Sequence, residues 1–172
     1  ISDSVKVDVT TQMVDTTLNL LPTEPPEGMV IVQGGTFKMG SNDGKPDESP
    51  VHEVTVNSYY IGKTELTLGS FEEFITATNY QTDADKDGGS DLSTESSVEL
   101  KSGVNWRCDT KGNVRGSGEK NHPVLYVSWY DAVSYCNWLS EKEGLQKAYS
   151  GSGDNITCDF NANGYRLPTE AE

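Results

Sequence analysis

Asp83-Ala-Asp85-Lys-Asp87-Gly88 is the segment whose residue types and spacing come nearest to a binding site. Oxygen ligands at the first, third and fifth positions with glycine at the sixth open a calcium loop. Such a loop closes on a bidentate carboxylate at the twelfth position, which here is Thr94, with Glu95 one residue late. The eighth position, ordinarily apolar, is Ser90. The segment therefore reads as a solvated acidic loop, and no metal site is expected. His52 and His122 are the only histidines, and neither has a Cys or His at metal-ligand spacing, which argues against zinc.

Other chemistry-bearing patterns are equally incomplete, and no catalytic residue is expected from them. Trp106-Arg107 offers an aromatic plane and a guanidinium for stacking on a ligand, but reads better as a core tryptophan beside a surface arginine. No nucleophile elbow supports a Ser-His-Asp triad. The stretch from Gly112 to Gly118 lacks the Lys-Ser/Thr ending of a phosphate loop, and no apolar strand leads into it. Cys108, Cys136 and Cys158 allow one disulfide in three pairings, the leftover thiol finding its partner beyond residue 172, or else three reduced, partly buried thiols. Asn155-Ile-Thr157 is an acceptor sequon that matters only in a glycosylating compartment.

The elements that must position these groups are clearest around Ser128. Ser128 and Asp131 make a capping box opening a helix over residues 128–143. Trp129, Ala132, Val133, Cys136 and Leu139 share its apolar face, while Asp131, Asn137, Glu141 and Lys142 are expected to point outward. Asp131 near the start and Lys142 near the end suit the macrodipole, and Gly144 is the stop. Cys136 thus sits on the buried face, as a packed thiol or a structural disulfide rather than a nucleophile. A second helix is read from Leu68, Phe71, Phe74, Ile75 and Thr78, with Thr67 as its cap.

Short strands are expected at residues 29–33 and 36–39, joined as a hairpin through Gly34-Gly35, and again at 51–56 and 59–61. Residues 80–120 are polar and glycine-rich without sustained periodicity, an ordered irregular loop. Residues 1–27 read as a leader and linker: Val5, Val7 and Val9 alternate like an edge strand before a proline cluster from Pro22, and the stretch serves as a tether or a tail. Thr169 and Glu172 form another capping box, announcing a helix that continues past residue 172. Residues 28–172 are therefore expected to be the N-terminal part of a longer domain.

A formal net charge of −14 excludes a nucleic-acid partner and an anionic membrane surface, both of which need a basic face. No apolar run approaches the roughly 18 residues of a transmembrane helix. Strands first, then interspersed helices and long loops, give an α+β class without a βαβ rhythm.

Six segments in order carry a resemblance: Gly28-Met-Val-Ile-Val-Gln-Gly-Gly-Thr-Phe-Lys-Met-Gly-Ser41, Pro50-Val-His-Glu-Val-Thr-Val56, Tyr60-Ile-Gly-Lys-Thr-Glu-Leu-Thr67, Asn105-Trp-Arg107, the run from His122 to Cys136, and Tyr165-Arg-Leu-Pro-Thr-Glu-Ala-Glu172. Together they resemble the formylglycine-generating enzyme (sulfatase-modifying factor) family. The resemblance implies a C-type-lectin-like fold with small twisted antiparallel sheets, two main helices and long ordered loops. It also implies oxidation of a sulfatase cysteine to formylglycine, using molecular oxygen and copper held by two cysteines. Those cysteines and the family's calcium ligands lie downstream of Leu-Pro-Thr-Glu-Ala-Glu and map onto no residue here. Cys136 matches a structural cysteine whose disulfide partner is also downstream.

One departure bears on function. In the oxidases the helix carrying the Cys136 equivalent runs almost directly into Arg-Leu-Pro-Thr-Glu-Ala-Glu, whereas here residues 139–165 intervene. That connection resembles bacterial paralogues such as surface lipoproteins and the variable proteins of diversity-generating retroelements. The expectation is an exported, extracytoplasmic, non-catalytic ligand-binding or display protein, its partners a protein or surface ligand and the remainder of its own domain, with no cofactor or ligand-contacting residue assigned. The alternative is a copper-dependent formylglycine-generating oxidase acting on sulfatase cysteines.

Overall fold

The computed structural model describes residues 12–13, 24–93 and 97–172. Val5, Val7, Val9, Pro22, Thr94 and Glu95 lie outside the described residues.

Helix α3 (Trp129–Lys142) is the element on which the rest is assembled. Its box forms as the sequence implies: the Asp131 N–H donates to Ser128 Oγ at 3.1 Å, and the Ser128 N–H to Asp131 Oδ2 at 2.8 Å. One side of α3 packs on α1 (Leu68–Thr78), whose first turn is held by the Ser70 N–H donating to Thr67 Oγ1 and whose end turns at left-handed Asn79. Phe71, Phe74, Trp106 and Tyr135 interlock there in edge and stacked contacts, with Leu66, Leu68, Val124 and Ala132 around them. The other side contributes Val133 and Cys136 to a second core with Met29, Tyr60, Ala148, Tyr149, Ala162 and Tyr165.

That second core is covered by a four-stranded antiparallel sheet ordered β10-β1-β5-β2, from β1 (Gln12–Met13), β2 (Met29–Val32), β5 (Tyr59–Gly62) and β10 (Tyr165–Arg166). Within the stretch read as a leader, Gln12 thus pairs with both Ile61 and Arg166. The hairpin expected through Gly34-Gly35 does not form. β2 pairs with β5, while β3 (Gly35–Met39) pairs with β4 (His52–Val56). The chain crosses between sheets at Gly34, where a Cβ would lie 2.5 Å from the Ser58 nitrogen, so the glycine serves close backbone approach. Pairing with β5 also brings Met29 against fully buried Tyr60, a larger apolar burial than a local turn provides.

Residues 80–120 are more regular than their composition suggests. A single turn, α2 (Asp83–Lys86), is followed by the hairpin β6 (Gly89–Ser93) and β7 (Val98–Ser102). One turn is too short to show a helical period, and β7 offers only the short Val98/Leu100 alternation, with every residue exposed. Residues 139–165 also fold, around β8 (Tyr149–Ser150) and β9 (Thr157–Cys158). Ser140 joins this segment to the helix: its hydroxyl accepts the Tyr165 N–H at 2.8 Å and donates to the Cys136 carbonyl at 2.8 Å. Gly164 beside it tolerates no side chain, since a Cβ would lie 1.9 Å from the Gln146 oxygen. No helix among the described residues is long and apolar enough to cross a membrane.

Phe71 sits at the meeting point of three aromatic rings, and Phe71→Ala is expected to cost about 3–5 kcal/mol. Exposed Leu100→Ala should stay within about 0.5 kcal/mol. Urea unfolding of the two variants checks the contrast.

Candidate functional site

The N-terminal end of α3 concentrates polar groups below and aromatic groups above. Asp131, expected outside, is 0% exposed. Besides its cap, its Oδ1 accepts from the Tyr80 hydroxyl at 3.1 Å and from the Asp83 N–H at 3.2 Å. Ser134 Oγ donates to the Tyr80 oxygen at 3.3 Å, and Ser128 Oγ donates to Asp83 Oδ2 at 2.5 Å. Burial, reinforced by the Asp83 charge, raises the Asp131 carboxyl despite these donors. For Asp83 burial also pulls upward, but the bond from Ser128 and the nearby Lys86 ammonium prevail and lower it.

The acidic segment is accordingly not a solvated loop, and its carboxylates do not converge on a cation. Asp83 is committed to α3, whereas Asp85 accepts from the Thr82 cap, from Asn105 Nδ2 at 2.9 Å and lies 3.5 Å from Arg107. Among the described residues no group of three His, Cys, Asp or Glu is placed to hold a metal ion. His52 lies on β4 with its Nδ1 3.0 Å from the Pro50 carbonyl, and the backbone oxygen of His122 accepts from Leu68. Trp106 is a core residue, and the Arg107 guanidinium stacks 4.2 Å from its ring centroid.

Above the polar node the expected apolar face of α3 is broken. Trp129 is 40% exposed and Tyr130 38%. Their rings meet edge to face at 5.3 Å, and Trp129 makes a second edge contact with Tyr149. The Tyr130 hydroxyl donates to Asp154 Oδ1 at 3.1 Å, so residues 139–165 supply one wall of this aromatic surface. Helical spacing placed Trp129 inside, but the first turn of α3 lies at the margin of the core, where one position along the helix exchanges inside for outside.

The Arg-Leu-Pro-Thr-Glu-Ala-Glu segment forms a compact knot. Arg166 and Glu172, with side chains 4% and 10% exposed, make a bidentate pair at 2.8 and 2.7 Å. Glu172 also accepts the Thr169 N–H at 2.9 Å, and the Tyr59 hydroxyl donates to its backbone oxygen. The box was legible in the sequence, while the arginine's role was not, because five residues of irregular chain lie between the partners. Burial alone would raise the Glu172 carboxyl, but the hydrogen bonds from Arg166 and Thr169 and the guanidinium charge hold it at about 2.

All three cysteines are free thiols. Cys108 lies in a loop with its Sγ 3.9 Å from the Gly103 carbonyl. Cys136 is fully buried, and burial, with Cys158 nearby, pushes its thiol up to about 12.

Small antiparallel sheets around packed helices, with ordered loops between, define an α+β domain of the C-type-lectin-like, formylglycine-generating-enzyme type. The crystal structure of CarF is similar, with a TM-score of 0.55 and 27% identity, covering 86% of this chain and 54% of that one. Residues 15–172 match the sulfatase-modifying factor enzyme 1-like domain, and the chain belongs to that family. It is 32% identical to the formylglycine-generating enzyme of Bos taurus, covering 86% of this chain and 38% of the relative. To the enzyme of Streptomyces coelicolor it is 31% identical, covering 84% and 45%. It is also 32% identical to the inactive C-alpha-formylglycine-generating enzyme 2 of Bos taurus, covering 66% and 44%. The chain thus spans less than half the length of these curated relatives.

The cysteines present do not fit a copper site. A copper-binding thiol must ionise readily, whereas burial raises the thiols of Cys136 and Cys158, and Cys108 is buried in a separate loop.

Glu172 makes the fold acid-sensitive. Its carboxyl is at about 2 when folded and near 4.5 when free, so its contribution is complete above about 4.5 and is lost as pH falls towards 2. That contribution is about 1–3 kcal/mol once solvent screening is allowed for. Glu172→Gln should lower stability at neutral pH and flatten this limb, as read by urea titrations between pH 2 and 6.

Proposed function

We propose that this chain is the scaffold portion of a formylglycine-generating oxidase acting on a cysteine of sulfatase precursors. The observation that carries the reading is 31–32% identity over 84–86% of the chain to formylglycine-generating enzymes. On this reading the chain's own residues supply architecture rather than reacting groups. Asp131 and Ser128 anchor the start of α3, and Arg166 and Glu172 anchor the segment that leads onward. The copper-binding pair, which supplies the oxidation chemistry, belongs to residues outside this chain.

A specific observation favours a second reading, an exported, extracytoplasmic and non-catalytic binder of a protein or surface ligand. Residues 139–165 stand beside exposed Trp129 and Tyr130, and large exposed aromatic side chains are the usual anchors of recognition. The similarity to an inactive relative is in keeping with it. A variable protein of a diversity-generating retroelement is one form this binder would take.

Anaerobic titration of the full-length protein with copper(I) separates the two. The oxidase binds copper stoichiometrically, loses it when cysteines beyond residue 172 are changed to serine, and converts a sulfatase-derived cysteine peptide to its aldehyde. Cys108→Ser leaves that binding unchanged. Absence of both binding and conversion overturns the oxidase in favour of the display scaffold.

A further inference from the structure

The inserted segment carries a motif that neither functional reading uses, Asn155-Ile-Thr157. β8 and β9 pair as Ser150 with Thr157 and Tyr149 with Cys158, so residues 151–156 form a hairpin tip. The tip turns at Gly153–Asn155, where the Asn155 N–H donates to the Ser152 carbonyl at 3.1 Å. Gly151 permits this closure, since a Cβ there would lie 2.3 Å from the Asn155 backbone oxygen. Ile156 then leaves the turn in an extended conformation, with φ −67° and ψ 129°. Across an extended residue the two flanking side chains point to one side and its own to the other. Ile156 packs against the core that holds Cys136 and Tyr149, whereas Asn155 and Thr157 are both exposed. The Thr157 hydroxyl lies 3.1 Å from that of Ser150, itself exposed. Asn137 of α3 fixes the hairpin at its base: its Nδ2 donates to the Tyr149 carbonyl at 2.9 Å, and its Oδ1 accepts the Tyr149 N–H at 3.1 Å. The fold therefore anchors the middle residue of the triplet and turns the amide and the hydroxyl outward together.

We propose that Asn155 is the attachment site of an N-linked oligosaccharide, a proposal that rests on the extracytoplasmic reading of the chain. The donor is an oligosaccharide carried on a membrane lipid diphosphate, transferred by an enzyme that recognises the Asn-X-Thr triplet. Asn155 Nδ2 forms a bond to the anomeric carbon of the donor while the bond from that carbon to the diphosphate oxygen breaks. The lipid diphosphate leaves with the bonding electrons, and one amide proton passes to a base of the transferase. Nothing is oxidised or reduced. A glycan is bulky and solubilising and belongs in solvent, and neither outward side chain is packed in a core, so the finished fold holds it without displacing an element. Asp154, the preceding residue, accepts from the Tyr130 hydroxyl at 3.1 Å. The glycan accordingly borders the Trp129–Tyr130 surface and restricts approach to it from the hairpin side.

The test is mass spectrometry of intact glycopeptides from the full-length protein recovered from the exported fraction of its native cells. The expected result is a sugar-bearing peptide with the glycan on Asn155, lost in Asn155→Gln and in Thr157→Ala and retained in Thr157→Ser. Circular dichroism should show all three variants folded, because both positions are exposed. An unmodified Asn155 in the exported protein, or a glycan that persists in Thr157→Ala, overturns the proposal and leaves the export reading standing. Recovery of the protein only inside the cells overturns that reading and the proposal with it.

Discussion

A carboxylate with no exposed surface governs this domain. Asp131 sits where α3 begins and accepts hydrogen bonds from its own cap residue, from the Tyr80 hydroxyl and from the backbone of α2. Burying a charge is costly unless its oxygens are satisfied, so helix, turn and tyrosine must occupy a single relative arrangement. That arrangement places Phe74 against Tyr80, Tyr135 and Trp138 on one side of α3. It leaves Val133 and Cys136 for the sheet side. One helix thereby serves two cores, and its first turn emerges between them with Trp129 and Tyr130 in solvent.

A buried ion pair forms a second polar anchor. Arg166 on β10 reaches Glu172, whose backbone oxygen is bonded by Tyr59 of β5. Thr169 completes the knot through the capping box. Because β10, β1 and β5 are neighbours in the sheet, the knot ties the Arg-Leu-Pro-Thr-Glu-Ala-Glu motif to the sheet rather than leaving it as a free lead into the next element. The motif's polar residues are therefore a structural lock.

The segment between α3 and β10 is where this chain acquires its own character. Asn137 holds its hairpin through Tyr149, while Ser140 and Glu143, on or just after α3, bond Tyr165 of β10. These polar groups were legible only as outward-facing or unremarkable helix positions. Each acquires its role from a partner brought close by folding. The same segment supplies Asp154 to the exposed aromatic surface and Cys158 to the margin of the buried core.

The sequence by itself determined the two long helices, their caps, most of the strand positions and the order of family motifs. Those features depend on local periodicity and on bonds spanning three or four residues, such as Ser128 with Asp131 and Thr169 with Glu172. Only the tertiary structure decided that β2 pairs with β5 instead of β3, that Asp131 is inside and Trp129 outside, and that α2 and the β6–β7 hairpin exist. It also decided that Asp83 bonds the start of α3 and Asp85 bonds Asn105. Each of those outcomes depends on partners far apart in the chain, and burial at such distances is decided by how elements pack rather than by the pattern within any one of them.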